Sequence, residues 1–150
     1  MREQRSMNRP MLYAASPDPM PLSLPLLGRL VPAGFPSPAD DYLEGEIDLN
    51  RYLIERPAAC YLMRVSGPSM EGAGIMDGDF VVVDRSVEPV SNHVVVAVIA
   101  GEMTIKRLRK LNDGRAVLKA EHPDYPAMVI CEEYPCEIWG VVVGCVRKMA

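Results

Sequence analysis

Ser69 and Lys106 are of residue types that together can break a peptide bond without a histidine. A serine hydroxyl is a poor nucleophile at neutral pH and becomes a good one only beside a base that takes its proton. Ser69 stands in "SGPSM" (66–70), between Pro68 and Met70, at the end of a short apolar run. Ser, Gly and Pro are ordinary turn residues, so the stretch reads first as a corner, and then as a corner that presents a hydroxyl. Two kinds of base are available. His93 and His122 have no acidic orienter close in sequence, although triads assemble in space rather than along the chain. The other kind is a lysine that burial has stripped of its proton, since desolvation penalises the ammonium. Lys106 in "GEMTIKRL" (101–108) is that candidate, because a strand would place it on one face with Thr104 and Leu108. Lysines are seldom buried without a partner, so an ordinary strand lysine carries no such role. The remaining charges of "KRLRK" (106–110) read as a solvated face rather than a nucleic-acid patch.

The elements that must hold these two side chains are mostly strands. "ACYLMRVS" (59–66) and "DFVVVDRS" (79–86) flank a loop that contains Gly67, Gly72, Gly74 and Gly78. "NHVVVAVIAGEMTIKRLRKL" (92–111) reads as a hairpin turning at Ala100-Gly101-Glu102. Asn112-Asp113-Gly114 marks the next turn, before "RAVLKAE" (115–121), "AMVIC" (127–131) and "EIWGVVVGCVRKM" (137–149). Strands at such short spacing predict a mostly β domain of antiparallel sheets. "SPADDYLEGEIDLNRYLIERP" (37–57) carries helix punctuation instead. Ser37, Pro38 and Asp40 resemble a capping box, and a second start falls at Asp48, with Leu49 and Leu53 on one face and Pro57 as the stop. Ahead of it, eight of the fourteen prolines lie between Pro10 and Pro38, which predicts an extended arm rather than a helix. Leu22, Leu24, Leu26, Leu27 and Leu30 give that arm the means to dock.

Composition narrows the function classes. The chain is 49% hydrophobic and 24% charged, as in soluble globular proteins, and its net charge of −4 gives no general attraction to nucleic acid or anionic membrane. Cys60, Cys131, Cys136 and Cys145 form no C-x-x-C pair, which argues against zinc and for free thiols in a reducing compartment. The apolar stretch 11–27 is interrupted by Pro17, Pro19, Pro21, Pro25 and Asp18, so neither a secretion signal nor a membrane span is expected. "WGVVVGCV" (139–146) fits a buried core strand or a dimer interface.

Five stretches occur in order: "GFPSPADDYLEGEIDLNRYLI", "SGPSM", "GIMDGDFVVVD", "GEMTIKRL" and "WGVVVGCV". Together they resemble the UmuD-like mutagenesis proteins of the bacterial SOS response, within the LexA-like self-cleaving serine/lysine peptidases. The resemblance runs from about Gly34 to the C-terminus. It implies curled antiparallel sheets, Ser69 as nucleophile, Lys106 as general base, and Ala33–Gly34 in "PAGFP" as the scissile bond. The Ser69 backbone N–H would serve the oxyanion hole. Similar proteins also draw on the residue before the serine, which here is Pro68 and has no N–H. Where the family usually has Gly-Asp ahead of the hairpin strand, this chain has Asn92-His93. The implied division is an arm, residues 1–33, removed by self-cleavage, and a peptidase domain, residues 34–150. The implied partners are a second copy in a homodimer, the RecA filament on single-stranded DNA as stimulus, and a UmuC-like translesion polymerase. No cofactor, metal, membrane or sequence-specific DNA contact is implied, and the setting is cytoplasmic. A LexA-like repressor would need a helix-turn-helix, which a Pro-rich arm does not supply. A signal-peptidase-like enzyme would need a membrane anchor.

Overall fold

A computed structural model of the chain describes residues 12–15, 20–27, 31, 33–35 and 43–150. Its strands are β1 (Leu12–Ala14), β2 (Ser23–Leu27), β3 (Leu43–Asp48), β4 (Cys60–Arg64), β5 (Phe80–Asp84), β6 (Val94–Ile99), β7 (Glu102–Lys110), β8 (Ala116–Lys119), β9 (Met128–Val129) and β10 (Cys136–Val146). One helix, α1 (Leu49–Leu53), follows β3. The fold is mostly β, with every described pairing antiparallel: an eight-stranded sheet in the order β1-β4-β5-β10-β6-β7-β8-β9, and a ribbon of β2 with β3.

The valine runs dictate this arrangement. Val81, Val82 and Val83 in β5, and Val95, Val96 and Ala97 in β6, are almost wholly buried. Successive strand side chains point to opposite faces, so an unbroken apolar run must be covered on both. One cover gathers Met63, Val65, Met70, Ile75, Val81, Val83 and Val96. The other gathers Val95, Ala97, Leu108, Leu118 and Val141. Each valine, leucine, isoleucine or methionine among them stabilises the fold by about 1.5–3 kcal/mol when fully buried.

The stretch "WGVVVGCV" lies in β10, the strand between β5 and β6, with Val141 in the core and Val143 and Val146 exposed. Its pairing slips between Ile138 and Gly140 against β6, and between Val142 and Gly144 against β5. Slips of this kind bend a strand and increase its twist. A Cβ on Gly140 would lie 2.6 Å from Val83 Cγ1, so any larger residue there would force Val83 or the strand to shift. The β6–β7 hairpin turns through Ala100 and Gly101, with φ of 50° and 77°. Two positive φ values are what a two-residue hairpin turn of the favoured twist requires. Glu102, expected in the turn, is already the first residue of β7.

Residues 37–57 depart from expectation. Leu43–Asp48 is a strand, not a helix, because it pairs with β2 from Ser23↔Asp48 to Leu27↔Leu43. The second helix start stands: Asp48 caps α1, its Oδ1 accepting from the backbone of Asn50 (3.0 Å) and Arg51 (3.4 Å). The first proposed start, at Ser37, Pro38 and Asp40, lies outside the described residues. Within the Pro-rich arm, Leu12–Ala14 and Ser23–Leu27 are extended and paired. β1 lies along the edge of β4, continued by the Ala15 N–H donating to the Cys60 carbonyl at 3.1 Å. All four cysteines are unpaired. Among the described residues no helix is long and apolar enough to cross a membrane.

Candidate active site

Ser69 sits where β4 gives way to a loop closed at its base by β-type hydrogen bonds. Val65 N–H donates to the Asp79 carbonyl, and Gly78 N–H to the Val65 carbonyl, each at 2.8 Å. Inside, the chain folds through successive tight turns. Gly67 takes a φ of +90° and its N–H donates to Asp77 Oδ1 at 2.8 Å. Glu71 N–H donates to the Pro68 carbonyl (3.2 Å), which makes Pro68–Glu71 a turn with Ser69 in its second position. A short 3₁₀ segment, Glu71–Ala73, follows and ends at left-handed Gly74. The corner expected from "SGPSM" is present, and it leaves Ser69 half-buried and Pro68 exposed.

Two anchors hold this loop. Met70, next to Ser69, is 1% exposed and belongs to the cluster that also takes Val96 and Ile105. The second anchor is ionic. Asp79 is almost fully buried and accepts a forked pair from Arg147, Nε to Oδ1 at 2.7 Å and Nη2 to Oδ2 at 2.6 Å, plus the Met76 N–H at 2.8 Å. These bonds hold the Asp79 carboxyl well below the usual carboxylate range, the Arg147 bonds being the largest cause. Arg147 Nη2 also donates to the Gly74 carbonyl (2.9 Å), so this arginine ties the middle of the loop to its C-terminal base.

Lys106 lies in β7 opposite Val95 of β6. Thr104, Lys106 and Leu108 share one face of the strand, while Met103 and Ile105 pack into the cluster on the other. Lys106 is half-buried, and burial alone pushes its ammonium pKa down. Its Nζ donates to Thr104 Oγ1 at 2.9 Å and to the Ile105 carbonyl at 3.1 Å. An ammonium has three donors and a neutral amine has a lone pair, so one direction from Nζ stays open. Among the described residues the Ser69 hydroxyl is not a partner of Nζ. Met70, next to Ser69, and Ile105, next to Lys106, belong to one apolar cluster, and the hydroxyl–amine bond is unmade.

Ala33 and Gly34 lie in an exposed bend between β2 and β3. Among the described residues, chain neighbours apart, no heavy atom comes within 4 Å of a Cβ placed on Gly34, so this bond is not seated at Ser69. The structure therefore brings the loop of Ser69 and the strand of Lys106 together and leaves Ala33–Gly34 outside. His93 and His122 are engaged elsewhere. Their Nδ1 atoms accept from the backbone of Val90 (3.3 Å) and Asp124 (3.1 Å). No local signal in the sequence singles out Glu121, Asp79 or Arg147. Arg107, expected on a solvated face, instead forms a half-buried ion pair with Glu121 (2.5 Å).

Residues 25–143 match the Peptidase S24-like family model. The chain belongs to this family, in its UmuD-like branch. The S24-like chain is 41% identical over 140 residues to Protein SamA of Salmonella typhimurium, a match covering 92% of this chain and 95% of SamA. It is 44% identical over 121 residues to Protein MucA of the same organism, covering 80% and 82% respectively. It is 41% identical over 129 residues to the LexA repressor of Delftia acidovorans, covering 85% of this chain but 56% of that repressor. The general chemistry of S24-like peptidases is serine-dependent self-cleavage.

Proposed function

We propose that this S24-like chain is an SOS mutagenesis protein that cuts its own Ala33–Gly34 bond, with Ser69 as nucleophile and Lys106 as general base. The observation that carries the reading is Lys106: a half-buried lysine whose Nζ meets a hydroxyl and a carbonyl, next to Ile105, which packs against the apolar cluster that also holds Met70 of the serine loop. Burial of an amine without a counter-charge lowers its pKa, which leaves more of it neutral and able to take a serine proton. In the reaction Ser69 Oγ adds to the Ala33 carbonyl carbon while its proton passes to neutral Nζ. The Ser69 N–H stabilises the resulting oxyanion. Collapse breaks the Ala33–Gly34 bond, the Lys106 ammonium returning its proton to the departing Gly34 amine. Water then hydrolyses the Ala33 ester, with Nζ again as base.

The exposed bend means that residues 33–34 must be carried onto Ser69 before reaction, and a gating step of this kind suits control by an external stimulus. The proposed stimulus is the RecA filament on single-stranded DNA. The trimmed product, residues 34–150, would act as a homodimer and as a subunit of a UmuC-like error-prone translesion polymerase in the cytoplasm. Identity to LexA gives a repressor reading some support, yet the chain spans only 56% of that repressor against 95% of SamA. Intact mass after incubation with RecA, an ATP analogue and single-stranded DNA tests the proposal. Wild type should yield a fragment beginning at Gly34, while Ser69→Ala and Lys106→Ala should stay full length. Efficient cutting by either variant would remove that residue from the mechanism.

A further inference from the structure

We propose that Glu121 is a positioning residue that locks the turn carrying Ser69 to the strand carrying Lys106; this rests on the dyad reading above. The Met70 cluster brings the two segments together, but apolar contact is non-directional and does not fix their relative placement. A directional link is needed, and Glu121 makes it with both its backbone and its side chain. Its carbonyl accepts the Gly72 N–H at 2.8 Å, three residues beyond Ser69. Its carboxylate accepts Arg107 Nε at 2.5 Å, one residue beyond Lys106. Each side chain of that pair is 23% exposed, so the bond is partly shielded from water.

The surroundings make this link stiff. Ala120, just before Glu121, is 1% exposed and fixes the backbone in the core. Arg107 is held a second time, Nη1 donating to the Asn92 carbonyl at 2.7 Å. Gly72 approaches so closely that a Cβ there would sit 2.7 Å from the Glu121 carbonyl oxygen and 3.3 Å from its Cβ. A glycine at that point lets the serine turn lie directly against the backbone of Glu121, whose carboxylate Arg107 holds. Neither Glu121 nor Arg107 takes part in the proton transfers, and neither is needed to close the loop at its base. What they set is the distance from Oγ to Nζ, and a displacement of about 1 Å in such a pair costs on the order of 10²-fold in rate.

The test measures the first-order rate of self-cleavage of the full chain at alkaline pH, at a temperature where circular dichroism shows each variant folded. Glu121→Ala should cut roughly 10- to 100-fold slower than wild type, with the pH at which the rate levels off unchanged, because the base is the same. Glu121→Gln should recover most of the rate, since an amide oxygen still accepts from Arg107 Nε. If Glu121→Ala fails to fold, Arg107→Gln probes the same bond from its other end with the same expected loss. A folded Glu121→Ala or Arg107→Gln that cuts within twofold of wild type overturns the proposal, even if its melting temperature falls. So does a levelling-off point that moves, or a Gln variant as slow as Ala. Ser69→Ala and Lys106→Ala run alongside: cutting by either would fault the dyad, whereas inert dyad variants with a fast Glu121→Ala would fault Glu121 alone.

Discussion

Raising the pH should speed self-cleavage tenfold per unit for as long as Lys106 is mostly protonated. With Lys106 as the proposed base, only neutral Nζ can accept the Ser69 proton, and below the pKa the neutral fraction grows tenfold with each unit. Burial depresses the Lys106 pKa, with the Thr104 hydroxyl and the Ile105 carbonyl as its hydrogen-bond partners. The rate should therefore level off at a pH below about 10.4, the ordinary lysine value. The same depression appears in stability, with a definite sign. Between the folded and unfolded pKa values the unfolded chain binds more protons at Lys106, so stability rises with pH across that window. Below the window the ammonium is present in both states and its burial penalty is felt in full. Lys106→Met keeps the aliphatic stem and removes the charge. It should melt higher than wild type at neutral pH, the gap closing as pH climbs through the window, and it should not cut. Lys106→Arg should also be inert, because a guanidinium stays protonated throughout. Intact-mass time courses across alkaline pH, with thermal melts of wild type and Lys106→Met, measure both effects. A rate that is flat with pH, or one that levels off only above about 10.4, refutes the reasoning.

Pro68 is exposed and offers the oxyanion no N–H, so Pro68→Ala should raise the cutting rate at fixed pH. One oxyanion donor is worth on the order of 10²–10³ in rate; a slower, normally folded variant would show that the ring positions Ser69 instead. Gly140→Ala forces a methyl within 2.6 Å of Val83 Cγ1 in the core and should destabilise the fold by about 1–3 kcal/mol. Urea titration checks this, and an unchanged midpoint would mean that the β10 slip absorbs the methyl.

The parts legible from the sequence are those that local chemistry decides. "FVVVD" and "VVVAVI" are too uniformly apolar to be anything but strands covered twice, and Ala100-Gly101 has the chemistry of a hairpin turn. Asp48 announces α1 through its own side chain. Residues 43–48 were open to misreading because the leucine and proline signals around them suit a helix start. The alternation Leu43, Gly45, Ile47 against Glu44, Glu46, Asp48 is the strand signal, and its partner is the distant β2. Ser69 and Lys106 stand out because a reactive residue type sits in a distinctive setting. Glu121 and Arg107, or Asp79 and Arg147, have no such setting. They are ordinary charges whose meaning comes from pairing across the fold (68 residues apart for Asp79 and Arg147), which no local pattern encodes.

The two arm strands give the proposed cut an effect beyond shortening the chain. β1 and β2 both precede Ala33, and between them they pair with β4 and β3. A product that lets them go has lost eight residues of ladder and gained two bare rows of amides and carbonyls. Such rows attract any extended chain of suitable register, rightful or not. The uncut form is thus the blunt-edged, storable one, and the trimmed form is adhesive by construction. A second copy would be the first such chain it meets, and a dilution series of the trimmed product would show at what concentration that pairing gives way.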